Sequence, residues 1–113
     1  MNNHLRNLAR TATFVVLSWL LATVCPASSR ADELKDGRTA LAAGRYEEAL
    51  QLFEKASAQG YAEGRAGVGQ VWLRRRNYEK ALEAFETAQK MDGNLALSYW
   101  GIGEVARRNE DYA

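Results

Sequence analysis

RNYEKALEAFETA, residues 76–88, places Tyr78, Ala81, Leu82, Phe85 and Ala88 three and four positions apart. That spacing is one apolar stripe on a helix. Glu79, Lys80, Glu83 and Glu86 take the opposite side, and Asn77 stands where an N-cap belongs. GRYEEALQLFEKA, residues 44–56, repeats the stretch at an offset of 32, with Tyr46, Ala49, Leu50, Phe53 and Ala56 in the same places. An offset of 34 lays Val68, Gly69, Val71 and Tyr78 on Ile102, Gly103, Val105 and Tyr112. A period of 32–34 implies stacked repeats rather than a single globular layer.

Each unit reads as two helices. In the second unit, EGRAGVGQVWLRR (63–75) is the first helix, and the helix from Tyr78 follows, closed by Gly93-Asn94. In the first unit, Leu34 to Ala43 precede a C-cap at Gly44, and Tyr46 to Ser57 precede Gly60. The third unit supplies one helix, over about 95–108. The expected fold is therefore all-α with five helices, since no stretch alternates with period two. Gly69, Ala81 and Ala88 sit where paired helices must approach closely, with Tyr78 and Phe85 filling the space beside them. An amphipathic hairpin cannot bury its face alone, so each unit stacks on its neighbours.

These motifs resemble the tetratricopeptide repeat, whose pattern is W-x2-L-G-x2-Y, then A-x3-F, then P. Val68-Gly69-x2-Trp72 and Ala81-x3-Phe85 match it in the second unit, where Arg65 replaces the opening Trp and Gly93 the Pro. Tyr99-x2-Ile102-Gly103 matches it in the third unit, and Gly37 with Ala49-x3-Phe53 in the first. EKASAQGYAEG (54–64) also leans towards the related Sel1-like repeat. The resemblance covers residues 32–113, in units of about 32–60, 61–94 and an incomplete 95–113. It implies a short right-handed α-solenoid of about two and a half units that binds a protein or peptide.

In that family the first helix of each unit lines a concave groove. Carried over, this face is Leu34, Arg38 and Leu41, then Glu63, Ala66, Gln70, Leu73 and Arg74, then Leu97, Trp100, Glu104, Arg107 and Arg108. The candidate partner-binding residues are Gln70, Leu73, Arg74, Leu97, Trp100, Glu104, Arg107 and Arg108. A subgroup that grips C-terminal carboxylates with paired Lys and Asn is a poor match. Its places here hold Leu34, Arg38, Gly67, Leu97 and Gly101, and only Arg38 could substitute. Arg74-Arg75-Arg76 and Arg107-Arg108 have two readings. Cations at helix C-termini complement the macrodipole. Alternatively, stacking brings Arg74 and Arg108 into a cationic rim for an acidic segment. Trp72 is expected in the core. Tyr99 takes the packing place, which turns Trp100 to the groove, either as a binding anchor or as plain packing.

The first thirty or so residues read differently. Arg6 and Arg10 precede an apolar run from Phe14 to Val24, followed by CPASSRA. A basic start, a short apolar stretch and a small-x-small exit are the layout of a secretory signal peptide over residues 1–31, with cleavage expected after Ser29-Arg30-Ala31 and Cys25-Pro26-Ala27 as a second candidate. The run falls short of the roughly 20 residues a membrane span needs. Ala22 and Val24 before Cys25 reverse the usual lipoprotein pattern, which argues against lipid anchoring. Export places the rest, 32–113, in the periplasm or outside the cell, touching the membrane only transiently.

Loss of residues 1–31 removes Arg6, Arg10 and Arg30 from the 15 basic residues and none of the 14 acids, moving the formal charge from +1 to −2. That is too near neutral for a general nucleic-acid binder. His4 and Cys25, the only His and Cys, go as well. The remainder then has no thiol, imidazole or ordinary zinc site, and no metal, cofactor or catalytic residue is expected. Ser57 and Ser98 have no His to activate them. Asp32, Glu33, Glu47, Glu48 and Glu79 begin helices, where acids meet the dipole favourably.

ARRNEDYA, 106–113, reads as the turn of a third hairpin, with Tyr112 opening a further helix. The alternative is a capping helix, which should have a polar outer face. Leu95, Leu97, Tyr99, Trp100, Ile102, Val105 and Ala106 make helix 95–108 apolar on more than one side, favouring an unfilled surface around Trp100 and Val105. The sequence thus points to an exported interaction module of a bacterial cell envelope. The alternatives are a piece of a longer exported repeat protein, with more repeats or a catalytic domain, self-association through the open C-terminal face, and a small secreted enzyme, which the missing acid/base constellation disfavours.

Overall fold

The aromatic of each A-x3-F stripe organises the packing. The computed structural model describes residues 29–111. It contains helices α1 (Ser29–Ala42), α2 (Tyr46–Ala58), α3 (Ala62–Arg74), α4 (Tyr78–Met91) and α5 (Ala96–Asp111), with no strand among the described residues. The signal-peptide reading of residues 1–28, Cys25 among them, and the reading of Tyr112 fall outside the described residues, whereas the expected cleavage point after Ala31 falls within α1.

In α4 the stripe buries Ala81, Ala84, Phe85 and Ala88. In α2 it buries Ala49, Leu50, Phe53 and Ala56. Phe53 and Phe85 are 1% and 0% exposed. Burying a Phe side chain contributes about 1.5–3 kcal/mol. Each ring lies between two glycines. A Cβ added at Gly37 of α1 would stand 2.7 Å from Phe53, and one at Gly67 of α3 would also overlap that ring. Phe85 repeats the arrangement between Gly69 of α3, at 2.9 Å, and Gly101 of α5. Each aromatic thus clamps the first helix of its own unit to the first helix of the next. Gly64 brings α3 against the α2 backbone, where a Cβ would meet the Ser57 nitrogen at 2.6 Å. Its counterpart in α5 is Ser98, fully buried, whose hydroxyl donates to the Leu95 carbonyl at 2.7 Å.

Three turns share one construction. After α1, Arg45 N–H donates to the Ala40 carbonyl and Gly44 N–H to that of Leu41, with φ +78° at Gly44. Tyr61 and Gly60 repeat these bonds to Ala56 and Ser57 after α2, with φ +93° at Gly60. After α3, Asn77 and Arg76 bond to Trp72 and Leu73, and Arg76 takes the left-handed place at φ +61°. This double bond is the Schellman closure, which needs a left-handed residue. Asn77 caps α4 as expected, its Oδ1 accepting from the Lys80 N–H at 3.2 Å.

Two sequence expectations change. Gly93-Asn94 does not close α4 through a left-handed glycine. Asp92 leaves the helix in extended conformation, φ −143° and ψ 103°, and its carboxylate accepts the Asn94 N–H at 3.0 Å. The side chain turns the chain itself, so Gly93 is not needed at positive φ. Nor do Arg108 to Asp111 form a turn: α5 runs through Asp111. Arg107 bonds Glu104 and Asp111 along the helix, supporting the extra turn with i,i+3 and i,i+4 pairs.

Candidate functional site

α1, α3 and α5 contribute one side each to a cleft of about 140 Å³ lined by Leu41, Gln70, Leu73, Arg74, Trp100 and Arg108. Gln70, Leu73 and Arg74 lie within four positions along α3, as Trp100 and Arg108 lie two turns apart on α5, so each helix presents one stripe. Leu41 and Leu73 are almost fully buried and form the apolar floor. Trp100 is 52% exposed and forms an apolar wall open to solvent.

The two arginines differ in their engagement. Arg108 donates to Glu104 Oε1 at 2.8 Å. Arg107 holds the same carboxylate at 2.6 Å and reaches Asp111 at 3.1 Å. The hydrogen bonds from Arg107 and Arg108 pull the Glu104 carboxyl from its ordinary 4.5 down to about 2. Glu104 is therefore an anion at any working pH, and Arg108 enters the cleft already paired. Among the described residues no side-chain partner holds Arg74, which is exposed at the end of α3. The cleft thus combines an apolar floor and wall, one amide, a paired guanidinium and the exposed guanidinium of Arg74.

Of the eight candidate residues, the structure brings Gln70, Leu73, Arg74, Trp100 and Arg108 to this cleft. Glu104 and Arg107 stand behind Arg108 in an ion-pair chain. Leu97 is elsewhere: it packs beside the core around Phe85 and Ala88. Ala66, from the same predicted face, is wholly buried. Leu41 completes the cleft from α1.

The arginine clusters divide by position. Arg74 faces the cleft. Arg75 pairs with Glu47 of α2 at 2.9 Å and lies 5.1 Å from the Trp72 ring, with Lys80 at 4.4 Å on that ring. Trp72 packs against both core clusters as expected, but it is only half-buried, and Arg75 and Lys80 lie over its ring. Tyr99 does not take the packing place. It is 53% exposed, and its hydroxyl donates to the Gly93 carbonyl at 2.8 Å. Inward packing in α5 falls to Ser98, Gly101 and Val105, because a small side chain lets α5 approach Phe85. Val105, 4% exposed, belongs to the core and not to the open surface.

The family model for the tetratricopeptide repeat matches residues 34–96 and again 69–113. No curated protein and no solved structure gives a significant match. The matched residues contain both Phe clamps, the cleft-lining residues of α1, α3 and α5 and the Gly69/Gly103 repeat place. The chain belongs to the tetratricopeptide repeat family, whose repeats serve as protein–protein interaction scaffolds.

Proposed function

We propose that this chain is an exported interaction module of a bacterial cell envelope and that its α1/α3/α5 cleft holds a short acidic segment of a partner protein. The observation that carries the reading is the cleft lining, with Arg74 and Arg108 beside Trp100, Leu41 and Leu73. A guanidinium with free donors takes a carboxylate in a two-pronged bond. The exposed Trp100 face and the leucine floor take a large apolar side chain next to that carboxylate, and tryptophan is enriched among residues that dominate binding energy. The ligand class is therefore a peptide with Asp or Glu adjacent to Leu, Ile or Phe. Export rests on the sequence layout of residues 1–31, a basic start followed by an apolar run and a small-residue exit.

The test is a titration with a labelled peptide of alternating Glu and Leu, at several salt concentrations. Binding should weaken with salt, since exposed charges are screened. Arg74→Glu should weaken it further and flatten the salt dependence. Equal affinity and equal salt slope in Arg74→Glu would remove the acidic peptide from the account.

A further inference from the structure

Arg74 and Arg108 occupy one place in successive repeats, at an offset of 34, and Gln70 and Glu104 stand four positions before them. Four positions is neighbour spacing on a helix, so each pair is within reach along its own helix. Only one pair meets. Arg108 Nε donates to Glu104 Oε1 at 2.8 Å, whereas Gln70 makes no bond to Arg74 among the described residues. Glu104 is itself held from its other side. Arg107 Nη2 donates to the same oxygen at 2.6 Å and Arg107 Nε to Oε2 at 3.2 Å, and Arg107 continues to Asp111 at 3.1 Å. The Glu104 side chain is 15% exposed, beneath its two arginines. It does not line the cleft, but Arg108 does. The bond to Glu104 occupies the Nε edge of Arg108 and leaves its two Nη groups without a partner among the described residues. Those two groups form the end of the guanidinium fork, which matches the two oxygens of a carboxylate.

We propose that Glu104 is a positioning residue of the cleft, fixing Arg108 so that its Nη edge receives the partner's carboxylate while Arg74 orders only as the ligand binds. The inference rests on the acidic-segment reading of the cleft and adds to it which arginine is the prepared anchor and which of its edges binds. Ordering a long side chain during binding costs affinity, and an arginine ordered beforehand avoids that cost. The two arginines hold the Glu104 carboxyl far below its ordinary range, so the tether stays ionised at neutral pH. Two acids and two bases make the Asp111–Arg107–Glu104–Arg108 chain neutral in sum, so the tether adds no net negative charge beside the ligand. The proposal reverses the sign expected from charge alone. Removing an acid from beside the cleft should strengthen the binding of an acidic peptide by Coulomb's law. Loss of a positioning residue should weaken it.

The test is a double-mutant cycle on the full chain, titrated with the labelled peptide of alternating Glu and Leu. Salt is kept at about 0.15 M, where exposed charges are largely screened beyond roughly 8 Å. Glu104→Gln keeps the side-chain shape and helix propensity and makes the α5 pair chemically equal to Gln70 and Arg74. It should weaken binding about two- to tenfold, the cost of ordering one long side chain on the ligand. In an Arg108→Ala background the same substitution should not weaken binding further, because a residue that acts through another is not additive with it. A residue that merely supports α5 would weaken binding equally in both backgrounds. Circular dichroism at 222 nm confirms equal helix content in all four proteins. Equal or tighter binding by Glu104→Gln, or the same weakening in both backgrounds, overturns this inference and leaves the acidic-segment reading standing. Absence of binding by the parent chain overturns both.

Discussion

Gly101 and Gly103 stand two residues apart on α5 and should respond to alanine in opposite directions. Both substitutions carry the same gain in helix propensity, about 0.5–1 kcal/mol for Gly→Ala in a helix interior. At Gly103 nothing opposes it, since the added Cβ meets no atom within 4 Å. At Gly101 the Cβ would overlap the edge carbons of the Phe85 ring. Phe85 is 0% exposed and also abuts Gly69, so it cannot retreat without opening the contact with α3. Overpacking of a filled core costs about 1–3 kcal/mol. The propensity gain is common to both, so the difference between the variants isolates that packing cost. For an array of this size, 1 kcal/mol moves the melting temperature by about 4–8 °C. Thermal melts followed by circular dichroism at 222 nm should place Gly103→Ala above the parent and Gly101→Ala below it, at least about 4–8 °C apart. Equal melting temperatures would refute the placement of Phe85 between the two first helices.

Phe53→Ala and Phe85→Ala should each cost about 3–5 kcal/mol in denaturant titrations, because each removes a clamp shared by three helices. Arg76→Gly should stabilise the chain by up to about 1 kcal/mol in the same assay, since Arg76 sits at φ +61° where its counterpart is Gly44. Asn77→Ala should cost about 1 kcal/mol through loss of the bond to the Lys80 N–H. Glu104 has a lower pKa in the folded chain, so its pairs with Arg107 and Arg108 stabilise the fold above about pH 4.5 and are lost as pH falls towards about 2. Melts across that window should show a loss of stability in the parent that is diminished in Glu104→Gln.

The stripes of α2 and α4 were legible in the sequence because each has one buried face and one polar face. Their aromatic and alanine places also recur at a fixed offset. The glycine places were legible for the same reason, and Gly69 lies against Phe85 as its spacing implied. α5 was harder to read. It is packed on one side only, so its apolar residues do not sort themselves into buried and exposed. Tyr99 fits the family pattern yet points to solvent, while Ser98 is wholly buried. The end of α5 is not legible in the sequence because Arg107-Arg108 resemble Arg75-Arg76, which lie in a turn. What differs is the carboxylates: Glu104 and Asp111 lie at helical spacing from Arg107 and hold it along α5. Just past α3, Arg75 instead reaches across to Glu47. The cleft residues on α3 and α5 came from the family resemblance, which puts the first helix of each unit on the groove. Leu97 departed because the close approach at Gly101 draws that part of α5 into the core around Phe85.

The most direct test of the account is photo-cross-linking in cells with p-benzoyl-phenylalanine at position 100, in place of the cleft tryptophan. A control carries the same probe at Lys90, an exposed residue of α4, which lines no part of the cleft. The account predicts an adduct at position 100 whose cross-linked peptide carries Asp or Glu beside a large apolar residue, and which is lost in Arg74→Glu. No adduct at position 100, or the same adduct from position 90, would contradict it.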